Sequence, residues 1–127
     1  MTVILTANMQ SGANDLIRTD LPRVIAGEEI PSPTIPTFVA IDVSEDVLRR
    51  YEGTYELRPG APMPVHTGDG GLYVDQWFLI PTSDTTFFSP QDFGTVTAVF
   101  GEDGEITHFD WAFSAGAFPM RRTSARP

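Results

Sequence analysis

The chain contains no cysteine and no lysine. The first absence excludes disulfides, thiolate nucleophiles and cysteine metal sites, and it leaves the redox compartment unread. The second excludes a lysine Schiff base and a lysine-bearing phosphate loop. Histidine is scarce: His66 and His108 are the only two. No apolar run approaches the ~18 residues of a membrane-spanning helix. No basic segment precedes a long apolar stretch at the start, so the opening does not read as a signal peptide. A cytoplasmic location is expected if the chain is a complete gene product.

Positive charge is also in short supply. Seventeen acidic residues face eight basic ones, all arginine, for a net charge of -9. Such a surface repels phosphate backbones and anionic membranes, and the sequence shows no basic patch. Neither nucleic acid nor a membrane is an expected partner. The 127 residues suffice for one domain, or for one domain with an appendage, able to bury roughly two-thirds of its unfolded surface.

The opening "VILTANMQSGANDLIRTDLPRVIAGEE" reads as a short strand over residues 3–7 followed by a helix. Ser11 is placed to cap that helix, with Asp15 near its positive end. Leu16, Ile17, Leu21, Val24 and Ile25 recur at helical spacing and form one stripe. Pro22 predicts a kink, or a restart capped by Asp20. Gly27 is the expected stop. The proline-rich stretch over residues 28–43 reads as an extended linker laid over a surface. Ser44 then opens a short helix with Glu45 and Asp46 in its first turn.

From Gly53 the texture changes. Short alternating runs, "GTYELR", "MPVHT", "LYVDQWFLI", "TTFFS", "TVTAVF", "ITHFDWAF" and "FPMRR", are separated by turn signals. Asp69-Gly70 and Asp103-Gly104 are strong hairpin signals, because both residue types tolerate positive φ. The pattern predicts a mainly β fold, an antiparallel up-and-down barrel of about seven to eight strands. Alternation places Phe109, Trp111 and Phe113 on one face, and His108 and Asp110 on the other. It also places Leu72, Val74, Phe78 and Ile80 together if no irregularity intervenes. That many large apolar groups must line an interior, since an open sheet carrying them would aggregate.

The stretch "LRRYEGTYEL" resembles the start of the lipocalin-like C-terminal domain found in serine beta-lactamase-related, penicillin-binding-protein-like hydrolases. The matching residues are Tyr51, Gly53 and Tyr55. The order continues through "GDGGLYV", "FLIPTSDTTFF", "VFGEDGEI" and "FPMRR", covering about residues 44–123. The opening is similar to the last strand and helix of the hydrolase domain in those proteins. The resemblance implies three parts: residues 1–27 as the end of a hydrolase domain, 28–43 as linker and 44–127 as a lipocalin-like barrel. It also implies a C-terminal piece, a split product or a shortened gene.

The related hydrolases use a nucleophilic serine with a lysine three residues later, a pair this chain cannot form. No serine sits in a Gly-x-Ser-x-Gly elbow either. No catalytic residue is therefore expected. "HTGDGG" at residues 66–71 looks like the His-x-Gly motif of the related active sites, but it follows the strand and helix that the motif precedes there. It reads as a strand end and hairpin turn. A metal site would need the two histidines to converge with a carboxylate such as Asp110, and their spacing predicts no metal. The carboxylates of "GEDGE" lack the ligand spacing of a calcium loop. No cofactor is expected. Tyr55, Trp77, Phe109 and Trp111 read as barrel core and, functionally, as the lining of a pocket for one small apolar ligand.

The leading expectation is a non-catalytic accessory domain of a serine beta-lactamase-like hydrolase, shaping substrate access or oligomerisation. Its partners would be a hydrolase catalytic domain, or a second copy met through residues 3–25. The alternatives are a free-standing barrel for a small lipophilic ligand and a cyclase- or isomerase-type barrel enzyme.

Overall fold

A computed structural model describes residues 2, 4–6, 11–30 and 37–125. Two helices precede the sheet: α1 (Gly12–Ile25) and α2 (Glu45–Arg49). Eight strands follow: β1 (Gly53–Glu56), β2 (Pro62–Gly68), β3 (Gly71–Val74), β4 (Trp77–Pro81), β5 (Thr86–Ser89), β6 (Gly94–Phe100), β7 (Ile106–Phe113) and β8 (Gly116–Ala125). Each pairs antiparallel with the next, and β8 returns to β1, so the barrel is closed. Among the described residues no helix is long and apolar enough to cross a membrane.

Local chemistry sets the turns. Asp69 and Gly70 both adopt positive φ, 51° and 79°, which is the geometry that matches a tight hairpin to the strand twist. Asp75 does the same at φ 56° and splits "LYVDQWFLI" into β3 and β4. The single-strand reading of that stretch is thereby corrected. The two-residue turn reverses the inward parity: Leu72 pairs with Leu79 and Val74 with Trp77, while Phe78 sits opposite Tyr73. Leu72, Val74 and Leu79 are buried; Phe78 and Ile80 are only half-buried, so these two do not share the inward face.

The expected N-terminal strand is also corrected. Residues 3 and 7 lie outside the described residues, and residues 4–6 form no strand. A closed barrel has no free edge to receive one, and Ile4 is 82% exposed. Helix α1 starts where Ser11 accepts the N–H of Asn14 at 3.2 Å. It runs unbroken through Pro22, so no restart occurs at Asp20. The proline costs the helix one hydrogen bond without ending it. Gly27, at φ 84°, ends it: its N–H reaches the Val24 carbonyl and that of Glu28 the Arg23 carbonyl. Those paired bonds are a Schellman stop.

The core is concentrated toward the end of the barrel that α2 covers. Ser44 occupies the α2 N-cap position without a side-chain bond. Leu48 and Tyr51 are buried there against Tyr55, Phe87 and Phe109. Tyr51 meets Phe87 edge-on at 5.5 Å, and Tyr55 lies 5.0 Å from Phe109. Each such side chain contributes about 1.5–3 kcal/mol through burial. The polar tips are tied down as well. The Tyr55 hydroxyl donates to the Tyr51 carbonyl at 2.8 Å, and the Tyr51 hydroxyl donates to the Asp84 carbonyl. Buried Glu52 accepts the Thr67 hydroxyl at 2.8 Å and offers its carbonyl to Arg122.

Residues 38–41, before α2, cling to the barrel exterior. Phe38 stacks on Phe88 at 4.1 Å, and the Ile41 N–H donates to the Pro81 carbonyl at 3.0 Å. That stacking explains why both Phe87, facing in, and Phe88, facing out, are buried.

Candidate functional site

The barrel end away from α2 is bounded by the β1–β2, β3–β4, β5–β6 and β7–β8 connections. A pocket of about 190 Å³ opens there. Trp77 and Trp111 form one wall, edge to face with centroids 5.8 Å apart. Leu57, Met63, Phe113, Phe118 and Met120 supply the remaining apolar lining. Asp92 is the charged group in it.

The β5–β6 connection positions that carboxylate. The Gly94 N–H donates to Asp92 Oδ1 at 3.0 Å, two residues on, which closes an Asx-type turn. The Trp111 indole N–H donates to Asp92 Oδ2 at 2.8 Å. Both oxygens thus accept N–H donors, the hydrogen bonding of a carboxylate. Gly94 permits the approach: a β-carbon there would stand 2.7 Å from Asp92 Oδ1 and 2.9 Å from Trp111 Nε1. Phe93, between them, takes φ 55° and turns its ring onto α1.

A second hollow of about 630 Å³ lies beside the first, between α1 and the β7–β8 turn. Asp92 and Phe113 border both. Asp15 accepts the Ser114 hydroxyl at 3.0 Å across it and pairs with Arg18 at 3.4 Å.

Of the four aromatics singled out from the sequence, Trp77 and Trp111 line the pocket together. Tyr55 and Phe109 lie fully buried in the α2-side core and are absent from its lining. Burial pushes the Tyr55 phenol well above its ordinary value, with Arg122 opposing, and burial raises Tyr51 with Arg50 opposing. The Tyr73 phenol is raised by its hydrogen bond to Asp69, at 2.5 Å on the surface.

Asp92 was hidden in sequence inside the turn signal "SPQDFG". The Asp-x-Gly spacing marks a turn, but nothing local shows that a tryptophan 19 positions on completes the pair. The histidines stand apart on the outer surface. His66 stacks on Tyr73 at 5.2 Å, and His108 lies 3.3 Å from Asp110. Among the described residues no three His, Cys, Asp or Glu side chains gather as metal ligands.

Fold and site together define a small closed antiparallel barrel, filled at one end and carrying an aromatic pocket with a buried carboxylate at the other. Comparison with protein-family models, curated proteins and solved structures finds no match.

Proposed function

We propose that this chain is a non-catalytic accessory module of a serine beta-lactamase-like hydrolase, shaping substrate access or oligomerisation. The observation that carries the reading is the apolar face of α1 left exposed among the described residues. Gly12 is the buried residue of that helix, while Ile17, Val24 and Ile25 are about half exposed. Leu16, Leu21, Val24, Ile30 and Phe93 line an apolar hollow of about 380 Å³ beside it. An amphipathic helix gains its stability by burying such a stripe. The resemblance of the opening to the last strand and helix of the hydrolase domain supports that catalytic domain as the occupant of this face.

The test titrates the chain with the catalytic domain of a serine beta-lactamase-like hydrolase expressed without its last strand and helix. Sedimentation and nitrocefin turnover are followed together. The expected result is a complex with higher turnover than the truncated domain, lost on combining Ile17→Glu with Val24→Glu. The chain alone is expected to turn over neither nitrocefin nor p-nitrophenyl esters. No complex at up to about 100 µM, or turnover by the isolated chain, overturns the reading.

A second reading, a barrel that binds a small lipophilic ligand, is favoured by the Trp77–Trp111 pocket. Burying a small apolar molecule there would remove surface from water on both sides.

A further inference from the structure

We infer that the pocket at the Trp77–Trp111 end selects a primary ammonium carried on a short apolar or aromatic body. The inference rests on the second reading above, that the pocket takes a small apolar ligand, and adds the group that sets its specificity.

Asp92 is 6% exposed. It forms no ion pair among the described residues; Arg18, in the neighbouring hollow, pairs with Asp15 and is 73% exposed. A buried charge without a counter-charge is costly, and a cation entering the pocket relieves that cost. The Gly94 and Trp111 N–H groups occupy one acceptor site on each oxygen. A carboxylate has about four such sites, so about two remain for a further donor. A primary ammonium brings three donors, whereas a quaternary ammonium brings none.

The walls suit the rest of the ligand. Tryptophan is the strongest aromatic partner for a cation, and Trp77 and Trp111 both border the pocket. Met63, Phe118 and Met120 offer hydrocarbon and thioether surface to an apolar body. A cavity of ~150 Å³ takes benzene, so about 190 Å³ fits an arylalkyl amine of about nine non-hydrogen atoms. The net charge of -9 favours approach of a cation over an anion.

The two tryptophans are the only ones in the chain, so intrinsic fluorescence excited at the indole edge reports on the pocket directly. The full chain is titrated at neutral pH with 2-phenylethylammonium and, separately, with 2-phenylethanol. The expected result is binding of the amine at about 1 mM or tighter, at least about tenfold tighter than the alcohol. Asp92→Asn should bring the two ligands to parity. Asparagine can turn a donor toward the Trp111 N–H, so a second variant, Trp77→Leu, leaves both Asp92 bonds in place. It should weaken the amine by more than about threefold. Equal affinities of amine and alcohol for the native chain would leave Asp92 a structural acceptor and overturn the inference alone. Failure of both ligands to bind at about 10 mM overturns the pocket reading with it.

Discussion

The backbone of Gly12 lies directly against the ring of Phe93, so close that a β-carbon on Gly12 would stand 2.3 Å from Phe93 Cδ2. The Gly12 N–H also donates to the Gln91 carbonyl at 2.9 Å. Helix α1 is therefore fastened to the barrel at its first turn, with the Ser114–Asp15 hydrogen bond as a further tie. Gly12→Leu should detach the helix and leave the barrel intact. The expected outcome is faster hydrogen exchange through residues 12–25 with unchanged protection in β6 and β7. Slowed or unchanged exchange in the helix would mean that the ring of Phe93 moves aside instead.

Trp111 carries both packing and polar satisfaction. It is 6% exposed and holds Asp92. Trp111→Ala should cost about 3–5 kcal/mol through the cavity alone. It also leaves Asp92 Oδ2 without its donor, adding about 1–3 kcal/mol. Trp111→Phe keeps most of the volume and should show mainly the second cost. Urea unfolding of the three proteins separates the contributions. No loss in Trp111→Phe would mean that the hydrogen bond contributes nothing measurable, and equal losses in the two variants would mean that the packing does not.

Alkaline pH should destabilise the fold through Tyr51 and Tyr55. Burial raises both phenols in the folded chain, whereas an unfolded tyrosine releases its proton near pH ~10. The associated stability is fully present below pH ~10 and is lost as pH rises above it. Each tyrosine contributes a slope of at most about 1.4 kcal/mol per pH unit in that window. Tyr55→Phe should remove one such slope. It should also cost about 1 kcal/mol at neutral pH, because the Tyr51 carbonyl loses its donor. Unfolding measured from about pH 9 to 11.5 checks both.

The barrel was legible because its signals are local. Asp69-Gly70 announces a hairpin in two residues, and "ITHFDWAF" alternates cleanly into buried Phe109 and Trp111 and outward Asp110. The β3–β4 turn was missed because Asp75-Gln76 lacks glycine, and Asp75 carries the left-handed conformation itself. Two short strands of like hydrophobicity then read as one. The site was half legible. Aromatics identified Trp77 and Trp111 as interior, but the same signal marked Tyr55 and Phe109, which fill the other end. Only the closed topology distinguishes the open end from the filled one. Asp92 joins the site through a contact between β5–β6 and β7, which no local pattern encodes.

Residues 28–43 read in sequence as an extended linker laid over a surface, and within them Phe38 stacks on Phe88 and Ile41 bonds to Pro81. Val43 packs against the core cluster too. Helix α1, by contrast, buries one glycine. Two truncations therefore should behave differently. Removing residues 1–36 should preserve one cooperative unfolding transition and cost at most about 1–2 kcal/mol, the worth of one or two hydrogen bonds and a covered ring. Removing residues 1–43 should cost a further ~2–3 kcal/mol, because it strips Phe38 from Phe88 and Val43 from the core. Oligomeric state is followed alongside. If the full chain self-associates and the shorter truncation is a monomer, the exposed stripe of α1 meets a second copy, and the hydrolase-docking reading loses its carrying observation. If the full chain is a monomer and the shorter truncation loses cooperativity, α1 is integral to the barrel and the boundary lies before residue 12. Cooperative unfolding of a monomeric chain lacking residues 1–36 leaves residues 37–125 as the folding unit, with α1 an appendage to it.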